Sequence, residues 1–298
     1  MKINLRNMPS IPYHYYLILA MFLWGGGWSA LKIIAEHQPM EVIVFWRFFI
    51  MTLSFLPILY FIKEPIRLGK KNLTFIFGST ALNIGFMISS YFGVRYGSAG
   101  SAGVIITTLS PVMTFLLIAL IFRKRLFNIQ YFGLFIGVMG GVIMLELHNY
   151  QNFFLGANLY FLLCALLWAG VTMLSQHSQM YIHPVHYSFF ISVVATFFTF
   201  FYGYKDNLLA VFDEGARFWS ALIYLAVLGQ SVATTIFYIA SGRLGSERTS
   251  SFMFLVPLFA LLVAYIFLDE PLEFHIVVGG TLSMVAVYFI NKKEKANS

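Results

Sequence analysis

Two amides hold informative positions in this sequence. Asn83 and Gln230 each fall near the middle of a long apolar stretch, where a polar side chain is expensive and is retained to face a cavity or a helix partner. An amide both donates and accepts, which suits a zwitterionic or neutral polar solute. On a helix, Gln230, Thr234 and Tyr238 share one stripe at i, i+4 and i+8, and Asn83, Met87 and Tyr91 form a second. Interhelical hydrogen bonding is the competing use of such residues. Thr107 and Thr108, with Ser250 and Ser251, could line the same path or satisfy backbone locally. Trp24 and Trp168 offer a wall for a cavity, and with nearby tyrosines could hold an organic cation over their ring faces. Trp28 and Trp46 stand nearer span ends, as interfacial anchors.

Other chemistry is missing from the sequence. There is no HExxH, phosphate loop or serine nucleophile elbow. His177, His183 and His186 cluster in "HSQMYIHPVH", but no cysteine or carboxylate completes a metal shell, so neither metal nor cofactor is expected. The single cysteine, Cys164, lies inside an apolar run and reads as a small buried hydrophobe. Glu36, Glu41, Glu146, Glu247, Asp269 and Glu270 all lie near the ends of apolar runs, so a carboxylate proton relay is not evident. Lys32 and Arg47 are expected nearer the outer surface than the centre. Lys32 would snorkel or pair with Glu36, while Arg47 would pair with Glu36 or Glu41 and form a positive vestibule with Arg95. A centre without clustered Lys and Arg disfavours phosphorylated solutes and leaves small amino-acid-like or neutral metabolites.

The elements that must position these residues are membrane helices. Of 298 residues, 59% are hydrophobic and 10% charged, whereas soluble domains carry roughly a quarter charged residues. Apolar windows bounded by charge, Pro and Gly predict ten spans, at 13–35, 41–62, 72–95, 98–122, 128–147, 155–177, 185–204, 217–242, 246–268 and 273–291. Pro9 and Pro12 precede the first run and no AxA site follows it, so the first helix is expected to stay as a span. With a cytoplasmic N-terminus the inner segments hold Lys2, Arg6, Lys63, Arg67, Lys70, Lys71, Arg123, Lys124, Arg125, Arg243, Arg248, Lys292, Lys293 and Lys295, fourteen of the nineteen basic residues. The positive-inside rule therefore places both termini in the cytoplasm. The net charge of +7 reads as topology, not as a nucleic-acid footprint.

The chain also repeats itself. "FLWGGGWSALK" (22–32) aligns with "LLWAGVTMLSQ" (166–176), "NIGFMISSY" (83–91) with "QSVATTIFY" (230–238), and "SPVMTFLLIALIF" (110–122) with "VPLFALLVAYIFL" (256–268). Trp24 thus answers Trp168, Asn83 answers Gln230, and Pro111 answers Pro257. Five helices per unit force the second copy to enter the membrane from the opposite side, so the repeats are inverted. Pro111 and Pro257 would kink their helices mid-span, freeing the carbonyls of Thr107 and Met253 and serving as rocking elements. The glycines of "WGGGW" lie near the midplane, where they make room for a solute or a neighbouring helix. Gly133, Gly137 and Gly141, answered by Gly279 and Ser283, are expected to pack helices closely or to form a dimer face.

"WGGGWSALK", "FWRFF" (45–49), the "LGSERTSSFMFLVPLFALLVAYIFLDEPLEFHIVVGG" block (244–280) and the duplication resemble the drug/metabolite transporter superfamily, in particular its EamA-type members, over about residues 13–291. "FRKRLF" (122–127) departs from that pattern where an acidic residue is typical. Lys32 and Arg47 match basic positions of the family. The resemblance implies export or exchange of small metabolites. The expectation is an all-α integral membrane protein of ten helices, its repeats spanning 13–147 and 155–291. It would be a multi-pass protein of the cell (inner) membrane, monomeric or homodimeric, and a secondary transporter rather than an enzyme. It would export a small organic solute by alternating access through Trp24, Asn83, Tyr91, Thr107, Trp168, Gln230, Thr234 and Tyr238. An organic-cation exporter of the same fold, a channel, and an intramembrane enzyme acting on a lipid-linked substrate are the alternatives.

Overall fold

The computed structural model describes residues 12–61, 69–97, 99–123, 127–144, 156–268 and 274–292, and nearly all of these are helical. Apolar segments in lipid must satisfy their own backbone groups, which the helix does within each segment. The first half contains α1 (Tyr13–Gly25), α2 (Gly27–His37), α3 (Met40–Phe61), α4 (Lys70–Tyr96), α5 (Ala99–Phe122) and α6 (Asn128–Met144). The second contains α7 (Ala157–Ser178), α8 (Pro184–Gly203), α9 (Ala216–Ile223), α10 (Thr235–Leu244), α11 (Ser246–Ser251), α12 (Val256–Leu268) and α13 (Phe274–Asn291).

Seven continuous stretches are long and apolar enough to cross a membrane: Tyr13–His37, Met40–Tyr60, Lys70–Tyr96, Ala99–Ile121, Ala157–Ser178, Pro184–Gly203 and Ala216–Leu244. Asn128–Ile143 and Val277–Asn291 are shorter apolar helices. Large apolar side chains such as Leu120, Phe135, Phe197 and Phe201 remain on the outer surface, as expected where lipid is the solvent. The chain is therefore a multi-pass membrane protein.

Three departures from regular α-helix shape its interior. Gly26 separates α1 from α2 within the first span. Tyr224–Thr234, between α9 and α10, is a π-helix, a rare geometry that concentrates at functional sites. Phe252–Leu255, between α11 and α12, is a 3₁₀ turn. The two prolines consequently differ. Pro111 is carried inside the continuous α5, whereas Pro257 follows the 3₁₀ turn and starts α12. The carbonyl that Pro257 deprives of its usual donor, on Met253, accepts the Val256 N–H instead. The two proline positions are thus not equivalent in their backbone setting.

The main packing pairs are α6 with α13, α3 with α8, α4 and α5 with α7, and α12 and the π-helix with α1. The predicted small-residue face is spent within the chain. A side chain on Gly133 would collide with Ile290 of α13, one on Gly137 with Phe254, and one on Gly141 with Thr108 of α5. At one end of the first span, α2 and α4 cap each other. Lys32 donates to the carbonyls of Val94 at 2.7 Å and Gly97 at 3.1 Å, while Arg95 donates to that of Ala35. Cations on terminal carbonyls complement the helix dipole. The expected Lys32–Glu36 pair is present but long, at 3.9 Å.

Candidate functional site

The apolar core divides into two clusters, one around Ile34, Phe48, Val94 and Ile106, the other around Leu17, Trp168, Phe237 and Phe254. Trp28 and Phe86 pack against both. Where the clusters meet they leave a cavity of about 90 Å³. Its amides, Asn83 and Gln230, stand at the middle of α4 and of the π-interrupted span 216–244.

Three of the interior departures meet at this cavity. The Gly26 break carries Trp24 on one side and Gly27 and Trp28 on the other, and all three residues line it. The π-helix exposes the carbonyl of Gly229, which accepts the Trp24 indole N–H at 3.0 Å and the Thr234 hydroxyl at 3.1 Å. Tyr224, at the start of the π-helix, donates to the Leu23 carbonyl at 2.6 Å. Met253, in the 3₁₀ turn, completes that side. The irregular backbone is thus paired between spans where it borders the cavity, as the hydrocarbon interior requires.

The aromatic wall is built from both halves. Trp24 and Trp168 meet edge to face with ring centroids 5.2 Å apart, Phe86 lies 4.9 Å from Trp168, and Phe237 backs Trp24 at 5.1 Å. The amides are held differently. Asn83 donates to the Ser79 carbonyl at 2.8 Å and to the Tyr238 hydroxyl at 3.3 Å. The Tyr238 ring in turn lies tilted against that of Tyr187 with centroids 5.6 Å apart, and its carbonyl accepts from Gln179. Gln230 contacts the sulfur atoms of Met51 at 3.8 Å and Met87 at 3.6 Å through Nε2, while its Oε1 accepts from Arg47 Nε at 3.0 Å.

Of the residues expected at the site, Trp24, Asn83, Thr107 and Trp168 line the cavity, as do Gln230, Thr234 and Tyr238. Tyr91 is not among its lining residues. Its hydroxyl donates to the carbonyls of Gln38 at 3.1 Å and Ala35 at 3.5 Å, so it closes the end of α2. Arg47 was expected near the outer surface beside Glu36 or Glu41, and the structure corrects this. The residue is 6% exposed, lines the cavity and bonds Gln230. Among the described residues no acid pairs with it, and Glu36 and Glu214 pair instead with Lys32 and His37.

Trp46 donates to the Leu208 carbonyl at 2.6 Å, away from the cavity, and Cys164 is buried against the Phe86 carbonyl. Among the described residues no group of three potential metal ligands assembles. Asp269, Glu270 and Glu146 lie outside the described residues, as do eight of the basic residues that set the expected orientation: Lys2, Arg6, Lys63, Arg67, Lys124, Arg125, Lys293 and Lys295.

A largely apolar, aromatic-walled cavity that holds two amides and a guanidinium at the middle of membrane spans costs more than apolar packing would. A sequence model of the EamA-like transporter family matches residues 11–146 and again 155–292, and the chain belongs to that family. It is 26% identical to an uncharacterized transporter of Synechocystis over 99% of this chain and 94% of that one. It is 22% identical to a probable amino-acid metabolite efflux pump of Salmonella typhimurium, over 92% and 93% of the two chains. A solved crystal structure superposes with a TM-score of 0.68 at 14% identity, covering 93% of this chain and 95% of that one. The two sequence relatives are named as a transporter and an efflux pump, not as enzymes.

Proposed function

We propose that the chain is a ten-span secondary transporter that exports a small organic metabolite by alternating access, with its solute site in the cavity between two inverted five-helix repeats, 13–147 and 155–291. The observation that carries the reading is the cavity itself: Trp24 with its sequence partner Trp168, and Asn83 with its partner Gln230, all line it. Helix packing supports the same relation. The π-helix and α12 lie on α1 as α4 and α5 lie on α7, while α3 pairs with α8 and α6 with α13. Exchanging the halves preserves that pattern, and a carrier whose halves swap conformations would open the site to each side in turn.

On this reading both termini are cytoplasmic, the protein sits in the cell (inner) membrane as a monomer or homodimer, and the break at Gly26, the π-helix and Pro111 and Pro257 supply the compliant backbone. An amino acid or related amphipathic solute fits the donor, acceptor and aromatic groups. The amino-acid metabolite efflux pump among the relatives agrees with that class.

Reconstitution into liposomes tests the proposal. Saturable counterflow of a labelled solute is expected, whereas flux that rises linearly with concentration would indicate a channel and overturn it. Cysteines placed at positions 67 and 123 are expected to react only from the cytoplasmic side, and external labelling of either would break the topology.

A further inference from the structure

The cavity is charged, and its charge has one sign. Among the described residues Arg47 is the only permanently charged one in the lining, and no Asp or Glu lines the cavity with it. The guanidinium keeps its proton at neutral pH, so this part of the membrane interior holds a lasting positive charge. A buried charge without a counter-ion is costly, and proteins normally pair it. Gln230 Oε1 supplies a dipole to Nε but no negative charge. Among the described residues, the two terminal nitrogens of Arg47 have no protein acceptor within hydrogen-bonding distance. These are the nitrogens that form the parallel fork on which a carboxylate seats.

The rest of the lining adds no opposing charge. The indole N–H groups of Trp28 and Trp168 have no acceptor among the described residues, but both are buried, that of Trp28 beside Gly103 of α5, so the guanidinium is the charged donor left to a ligand. A lining with a net positive charge asks for a ligand negative in charge. A cation over the tryptophan faces would instead share the cavity with Arg47, and like charges at such range in low dielectric repel strongly. The cavity volume of about 90 Å³ is far below the roughly 300–1,000 Å³ of drug-sized pockets, which limits the solute to a small one.

We propose that Arg47 is the anchor for a carboxylate, and that the transported solute is a small monocarboxylate whose apolar or aromatic body lies against Trp24, Trp168 and Phe86. The carboxylate takes the terminal nitrogens while Gln230 holds Nε and fixes the plane of the fork. An ammonium group on the same solute finds no acidic partner in the lining, so the acid without an amine binds at least as well as the matching amino acid. This assignment rests on the transport reading above and deepens it.

The experiment uses matched probes on the full-length protein, purified and in proteoliposomes: 3-phenylpropionate, its amide, 3-phenylpropylamine and phenylalanine, with isovalerate, isovaleramide, isoamylamine and leucine as the smaller set. Thermal shift reads binding and counterflow reads transport. The acids are expected to stabilise the wild type saturably, and the amides and amines to bind at least tenfold more weakly. Arg47→Met should lose the acid response at least tenfold, with Arg47→Lys recovering part of it because the charge returns without the fork.

If Arg47→Met does not fold, Gln230→Glu decides. It places a carboxylate on the guanidinium, and should weaken acid binding at least tenfold while raising thermal stability. Equal binding of acid and amide, stronger binding of the amine, or acid binding that survives Arg47→Met or Gln230→Glu within twofold would each overturn the assignment. Counterflow of a neutral or cationic probe with silence from every acid would do so too, while leaving transport standing. Saturable acid binding without counterflow of any probe would keep the anchor and sink the transport reading.

Discussion

Gly25, Gly26 and Gly27 face three kinds of neighbour, and alanine at each should separate them by stability. A Cβ on Gly25 would lie 2.8 Å from the backbone nitrogen of Ala260 and 2.9 Å from the backbone carbon of Phe259. Backbone cannot swing aside, so α1 and α12 would have to part. On Gly26 the Cβ would lie 2.7 Å from the Tyr224 hydroxyl, the end of a side chain, which can yield at the expense of its bond to Leu23. On Gly27 the nearest atom is Leu225 Cδ2 at 3.5 Å, an ordinary contact. Replacing glycine by alanine in a helix gains up to about 1 kcal/mol, overpacking a tight interior costs about 1–3 kcal/mol, and a lost hydrogen bond costs about 0.5–1.5 kcal/mol. The balance is a gain of up to about 1 kcal/mol for Gly27→Ala, a value near zero for Gly26→Ala, and a net loss of up to about 2 kcal/mol for Gly25→Ala. Thermal unfolding of the three variants in the same detergent should therefore rank Gly27→Ala highest and Gly25→Ala lowest, with wild type and Gly26→Ala between. A Gly25→Ala protein that unfolds at or above the midpoint of Gly27→Ala would refute the close approach of α1 to α12.

Asn83→Leu and Gln230→Leu should each abolish solute-induced stabilisation while expression persists, and unaltered transport by both would remove the cavity as the solute site. Lys32→Met should lower thermal stability by about 1 kcal/mol because two helix-end carbonyls lose their charged donor. Glu36→Gln should change it by less than about 0.5 kcal/mol, since an exposed pair at long range contributes little; equal losses from the two would show that the ion pair, not the cap, is what Lys32 provides.

Seven spans were legible because hydropathy is a local property that no tertiary contact overrides, and Asn83 and Gln230 were legible because the middle of a span can be counted from its ends. Tyr91 was misplaced by extending a helical stripe beyond the cavity. Two turns past Asn83 is about 12 Å, which reaches the end of α2, where its carbonyls need donors. Glu36 and Glu41 do not place Arg47; the informative signal lies closer in the sequence. Its helical neighbours Ile43, Val44, Ile50 and Met51 are all apolar, and a charge with no acid within a turn on its own helix has to face a neighbour's polar group or a cavity. The π-helix was not legible: its widened turn turns Gly229 toward Trp24, some two hundred residues earlier, and this tertiary pairing adds to the local bonds of Ser231 and Thr234 to the carbonyls five residues before them.

The places where the two halves differ carry more of the chemistry than the places where they agree. The proposed two-fold relation brings Trp24 to Trp168 and Asn83 opposite Gln230, but the amides then take different partners, Asn83 a tyrosine and a backbone carbonyl, Gln230 a guanidinium. Arg47 sits in the second span, and the span that answers it, α8, contains no Lys, Arg, Asp or Glu. Nor do Pro111 and Pro257 share a backbone geometry. A duplicated scaffold needs symmetry to present the same site to both sides of the membrane. The proposed solute carries its charge at one end and so does not share that symmetry. A symmetric cavity with two arginines would hold two uncompensated charges about one axis, at a cost the bilayer interior does not permit. One arginine, oriented by one amide, is the arrangement that the proposed carboxylate would complete.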